Sequence, residues 1–154
     1  MATPADIVTV ERLIPAPPEK IFSLIANPAR HHELDGSGTV RDAKDVPEEP
    51  LQLGSKFGME MKLGFAYSTE NTVVEFEENR RIAWKTQPRG AIGRLPIGGR
   101  IWRYELEPTD GATLVRESWD ISEERIKAVV RPAAKKTREA MEKTLARIEE
   151  IVTD

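Results

Sequence analysis

Apolar residues recur with a period of two through the first strand-like segment and the middle of this chain, and with a period of about 3.6 at its end. Ile7 to Ile14 alternates, with Ile7, Thr9, Glu11 and Leu13 on one face and Val8, Val10, Arg12 and Ile14 on the other. That predicts a strand, and Pro15-Ala16-Pro17-Pro18 stops it, because proline cannot donate to a ladder. Pro18 and Glu19 then open a helix with Ile21, Phe22, Leu24 and Ile25 on its apolar face. Asn27-Pro28 closes it and caps a second short helix through about Leu34. Asp35 to Gly38 reads as a turn, Thr39 to Ala43 as a short strand, and Pro47 to Leu53 as a loop.

The clearest strand follows. Phe57, Met59, Met61 and Leu63 alternate with Gly58, Glu60, Lys62 and Gly64, so one face is buried and the other wet. Tyr67 to Glu77 predicts another strand, with Thr72, Val74 and Phe76 inward, and Arg81 to Thr86 returns with Ile82 and Trp84 on one face. Pro88 to Gly99 is a glycine-rich loop. Beyond it Trp102, Tyr104 and Leu106 alternate with Arg103 and Glu105, and Asp110-Gly111 is a hairpin signal. From Thr113 to Ile121 the inner face is Thr113, Val115, Glu117, Trp119 and Ile121. Glu123 to Val130 predicts a short helix with Ile126, Val129 and Val130 apolar. Pro132 to Val152 is one long amphipathic helix, with Ala134, Thr137, Met141, Leu145, Ile148 and Val152 at helical spacing. At 1.5 Å per residue it runs about 30 Å.

Strands dominate the middle and helices lie toward the ends, so the fold class is α+β rather than parallel α/β. The 154 residues predict a single domain with a substantial core. Charge is nearly balanced, at 23 basic and 26 acidic residues, which gives no general drive toward nucleic acid. The absence of cysteine excludes disulfides, thiolate metal sites and cysteine nucleophiles. The start of the chain lacks a secretory pattern and no segment is long and apolar enough for a membrane span, so the expectation is a cytoplasmic protein.

An ordered set of short segments carries a resemblance. Val10-Glu11-Arg12-Leu13-Ile14-Pro15-Ala16-Pro17-Pro18-Glu19-Lys20-Ile21-Phe22 is followed by Ala26-Asn27-Pro28 and Leu53-Gly54-Ser55-Lys56-Phe57. Then come Val74-Glu75-Phe76-Glu77 and Arg80-Arg81-Ile82-Ala83-Trp84. Trp102 to Pro108 and Gly111 to Glu117 complete the set. Together they resemble the polyketide cyclase/dehydrase and lipid-transport family of the START-like, helix-grip superfamily. The resemblance implies a curved antiparallel sheet of about six or seven strands wrapped around the long C-terminal helix. It also implies two short helices after the first strand and a ligand cavity between sheet and helix. The chain departs from the common pattern at His31-His32, where an aromatic residue such as tryptophan is frequent, and in the length of the Pro88 to Gly99 loop.

Under that architecture the residues facing the interior are the candidate ligand-binding set: Met59, Met61, Leu63, Trp84, Trp102, Tyr104, Glu117, Trp119, Met141 and Leu145. Singly each reads as ordinary core; together they read as the wall of a pocket for a bulky apolar ligand. Glu117 shares a face with Val115 and Trp119. Either it anchors a ligand hydroxyl or carbonyl, or it pairs with Arg103 or Arg116, or a bulge turns it outward. Glu70 poses the same question more weakly. His31 and His32, the two histidines, point about 100° apart on a helix and cannot share a metal ion. Their expected home is solvent, and no metal, cofactor or catalytic set is assigned. The glycine-rich loop lacks a phosphate-binding motif. Its Ile92, Leu95 and Ile97 read as a flap over an opening.

Arg125, Lys127, Arg131, Lys135, Lys136 and Arg138 cluster at the start of the long helix. They read as a solvated face helped by Lys135–Glu139 and Arg138–Glu142 pairs. The sharper reading is a transient contact with anionic membrane surface. The leading functional expectation is binding or transport of a hydrophobic small molecule, lipid or polyketide-like. The alternatives are a polyketide aromatase/cyclase and a toxin-like or ribosome-associated interaction module.

Overall fold

The computed structural model describes residues 6–37, 40–44, 49–62, 66–88 and 98–154. The first strand, β1 (Ile7–Ile14), ends at the proline run, and α1 (Pro18–Ile25) begins on Pro18 with all four expected apolar residues buried. Asn27 caps the next turn, its side-chain oxygen accepting the Ala29 N–H at 3.2 Å. A 3-10 turn over Pro28–Arg30 leads into α2 (His31–Leu34). Six strands follow: β2 (Val40–Lys44), β3 (Lys56–Lys62), β4 (Ala66–Glu77), β5 (Arg81–Pro88), β6 (Arg100–Thr109) and β7 (Ala112–Asp120). The β6–β7 turn holds Asp110 and Gly111 at φ 41° and 81°, the left-handed pair that a two-residue hairpin needs.

These strands form one seven-stranded antiparallel sheet in the order β1-β7-β6-β5-β4-β3-β2. The chain closes with α3 (Lys127–Val130), a 3-10 turn over Arg131–Ala133, and α4 (Ala134–Thr153). Met141, Thr144, Leu145, Ile148 and Val152 form the buried stripe of α4. The helix runs closest to β1 and then to β7. Long side chains from β3 to β6 therefore fill much of the interior farther from it.

Several expectations need correction. On β4 the buried residues are Thr69, Asn71 and Val73, not Thr72 and Val74. The cause is a bulge: Val73 pairs with Trp84 and Glu75 with Ala83, so Val74 is an extra residue, 38% exposed. The bulge resets the alternation, which is why Phe76 still packs against the core as expected. The helix expected from Glu123 shrinks to Lys127–Val130, where Val130 is buried while Ile126 and Val129 are about half exposed. Pro132 sits in the 3-10 turn, and the α-helix proper begins at Ala134.

The basic cluster is partly structural. Lys127 Nζ and Arg131 Nη2 donate to the two carboxylate oxygens of buried Asp6, at 3.3 and 3.1 Å. Arg138 donates to the Thr9 carbonyl at 3.2 Å. Start and end of the chain are thus tied together across the helix entry. Leu63 and the expected flap residues Ile92, Leu95 and Ile97 lie outside the described residues.

Candidate functional site

Because side chains alternate across a strand, the register fixes which ones share the concave face of the sheet. Trp84 pairs with Trp102 and Trp102 with Trp119, so the three tryptophans of the chain form one row across β5, β6 and β7. In the adjacent row Ile82 pairs with Tyr104 and Tyr104 with Glu117. Met59, Trp84, Tyr104, Glu117, Trp119, Met141 and Leu145 are buried, and Met61 and Trp102 are half-buried against the same core. Nine of the ten candidate residues therefore face one sheet–helix interior; the tenth is Leu63.

Glu117 is 3% exposed. Neither arginine suggested for it is its partner. Arg103 bonds Glu75, at 2.6 and 2.9 Å, and Asp120 at 3.4 Å, while Arg116 bonds Glu11 at 3.0 Å. Glu70 lies on the opposite face, 4.0 Å from Lys56. The partner of Glu117 is Tyr104, whose hydroxyl donates to Oε2 at 2.9 Å. Burial pushes the Glu117 carboxyl up to about 8, against the opposing pull of the Tyr104 hydrogen bond. Burial, reinforced by Glu117, holds the Tyr104 hydroxyl well above its ordinary range. Near neutral pH the pair is two uncharged groups in an apolar interior. Glu117 Oε1 and Trp119 Nε1, on the same face of β7, are buried with no hydrogen-bond partner among the described residues.

His31 is the residue the sequence reading misplaced. It is 6% exposed, and its Nε2 donates to the Ile25 carbonyl at 2.7 Å. A carbonyl can only accept, so Nε2 carries the proton. The ring stacks on Trp84 at 5.0 Å and meets Phe57 edge-on at 5.6 Å. Burial lowers its pKa to about 4, so it is a neutral aromatic plug. The departure at this position thus keeps an aromatic packing role. Trp84 also meets Tyr104, tilted against it at 5.7 Å. The site therefore brings Tyr104 and Glu117 together and commits His31 to the Ile25 carbonyl and the Trp84 ring.

A second polar group on the concave face was not foreseen. Thr86 Oγ1 donates to Asn71 Oδ1 at 2.6 Å, and Asn71 Nδ2 donates to Thr69 Oγ1 and the Phe57 carbonyl, each at 3.3 Å. The bulge at Val74 hid this group, because parity counted back from Phe76 puts Asn71 outside. Among the described residues no three His, Asp or Glu side chains are placed to hold a metal ion. A polar groove of about 370 Å³ lies elsewhere, lined by residues including Glu77, Arg80, Arg81, Glu105 and Arg116. Its Arg81–Glu105 pair, at 2.9 Å, and Arg116–Glu107 pair, at 3.5 Å, largely neutralise it.

The order of elements and the sheet gripping the last helix agree with the comparisons to known proteins. The family model for polyketide cyclase/dehydrase and lipid transport matches residues 6–153. The chain belongs to that family. It is similar to the uncharacterized protein Rv0088 of Mycobacterium tuberculosis, 38% identical over 109 residues, covering 70% of this chain and 44% of that protein. The chain thus spans less than half the length of that relative. Among solved structures it is similar to Ms6760 of Mycobacterium smegmatis, with TM-score 0.72 and 15% identity over 97% of this chain and 92% of that one. Ginseng major latex-like protein 151 of Panax ginseng gives TM-score 0.68 and 14% identity, covering 96% and 97% of the two chains. At these identities the structural likeness establishes the helix-grip fold. No helix among the described residues is long and apolar enough to cross a membrane.

Proposed function

We propose that this protein binds a hydrophobic small molecule between the concave face of the sheet and α4, holding it by apolar burial and orienting it at Glu117. The observation that carries this reading is the pair of buried, unpartnered polar atoms, Glu117 Oε1 and Trp119 Nε1. Nearly all buried polar groups in native proteins have partners, and each exception calls for a reason. Here both lie on the inward face of one strand, beside the tryptophan row and the flexible Met59, Met61 and Met141. A mostly apolar surface with a few polar groups is what recognises a lipid or polyketide-like guest. Family membership adds support, since both of its named activities handle such molecules. Binding is favoured over ring-forming catalysis because buried His31 is committed at Nε2 to the Ile25 carbonyl and stacked on Trp84, while Tyr104 and Glu117 are committed to each other.

Native mass spectrometry of the protein purified from cells tests the reading. A mass increment matching a hydrophobic compound, released on denaturation, is the expected result. A bare protein that also fails to take up fluorescent fatty acids and polycyclic probes would exclude it.

A further inference from the structure

We infer that the guest is a carbonyl-bearing molecule, and that its carbonyl oxygen is received by two donors on β7, the Glu117 carboxyl at Oε1 and the Trp119 indole at Nε1. This rests on the binding reading above and narrows its ligand class. Tyr104 donates to Glu117 Oε2, so Oε2 is occupied as an acceptor. With Oε2 taken up as the acceptor, Oε1 is the oxygen from which a neutral carboxyl can present its proton as a donor. Indole Nε1 is a donor and nothing else. Both atoms are buried without partners. Residues two apart on a strand share a face, so both donors belong to the inward face of β7, and among the described residues no acceptor is bonded to either.

Two donors on one strand face select an acceptor. A ketone, aldehyde or ester oxygen has two lone pairs and can take both hydrogen bonds at once. A hydrocarbon leaves both donors unsatisfied. An alcohol can accept from both, but its own proton then needs an acceptor that this pair does not provide. An ionised carboxylate would bring charge into an interior that already keeps Glu117 neutral. The aromatic row beside the donors suits a flat, apolar body attached to the carbonyl.

The test uses a matched pair of planar probes, 9-fluorenone and fluorene, which differ chiefly in the carbonyl. Affinity is read by quenching of tryptophan fluorescence and by calorimetry. The wild-type protein is expected to bind the ketone about tenfold more tightly, the worth of one to two net hydrogen bonds. The ketone should also shift the Trp119 indole N–H resonance downfield and lower the carbonyl stretching frequency. Trp119→Phe and Glu117→Met should each narrow the ketone-to-fluorene affinity ratio from about tenfold toward one, whatever each does to binding of both probes. Glu117→Gln, which still offers an N–H donor, should retain most of it. Equal affinity for the two probes would overturn the carbonyl assignment while leaving the binding reading standing. A preference that survives both Trp119→Phe and Glu117→Met would also overturn it. Failure to bind either probe would overturn this inference, and the binding reading would then fall only if the purified protein is also bare and takes up no fluorescent fatty acid.

Discussion

A carboxyl group 3% exposed among tryptophans survives because it stays neutral and because one hydroxyl holds it in place. Tyr104 does that work at Oε2, and burial supplies the neutrality. Removing the hydroxyl with Tyr104→Phe would leave both Glu117 oxygens unpaired. The expected cost is about 1–3 kcal/mol of unfolding free energy in denaturant melts. The Tyr104 hydrogen bond pulls the Glu117 pKa down, so its loss should push that pKa above about 8. A carbon-13 titration of the Glu117 side-chain carboxyl would read the shift directly, and an unchanged or lower value would contradict this account of the pair. Position 117 was legible as inward from strand parity, because β7 carries no bulge and Thr113, Val115 and Trp119 set the phase. Its partner was not. Arg103 and Arg116 are near in sequence and chemically apt, yet parity puts both on the opposite face, where Glu75 and Glu11 take them.

Periodicity located the elements well where one face is apolar and the other is not, as in β1, α1, β3, β6 and α4. It failed at β4, where Val74 is a bulge residue and the side chains before and after it follow different phases. A lone branched apolar residue gives no warning of that, since an exposed valine and a buried one are the same letter. The link between α2 and α4 was equally hidden, because Gly36 looked like ordinary turn punctuation. In the structure its N–H donates to Thr144 Oγ1 at 2.8 Å. A Cβ there would overlap the Ala140 carbonyl oxygen and lie 2.7 Å from the Thr144 nitrogen. Gly36→Ala must therefore lift the turn off the long helix, and an overpacking cost of about 1–3 kcal/mol is expected. Hydrogen exchange should show faster opening at Gly36 and along the middle of α4. Wild-type protection in this variant would mean that the turn does not clasp the helix.

Two buried titratable groups act against each other across the whole molecule, and their opposition shapes its response to pH. Glu117 titrates near 4.5 when unfolded and about 8 when folded, so between those values the folded state holds one proton more. Its stabilising contribution is complete below pH 4.5 and is lost as pH rises through 8. His31 titrates near 6.5 unfolded and about 4 folded, so in that interval the unfolded state holds one proton more. Its contribution is complete above pH 6.5 and is lost as pH falls through 4. From pH 4.5 to 6.5 the two slopes, each about 1.4 kcal/mol per unit, cancel. From 6.5 to 8 only Glu117 remains. The wild-type protein should therefore show a plateau of stability over the lower range and a decline over the upper one, followed by equilibrium denaturation at half-unit steps. Glu117→Gln removes one term, so that variant should gain stability from pH 4.5 to 6.5 and then stay level to 8. Stability that rises between pH 6.5 and 8 in the wild type would mean that Glu117 is ionised in the folded protein. It would then present an acceptor, not a donor, to whatever lies against the tryptophan row.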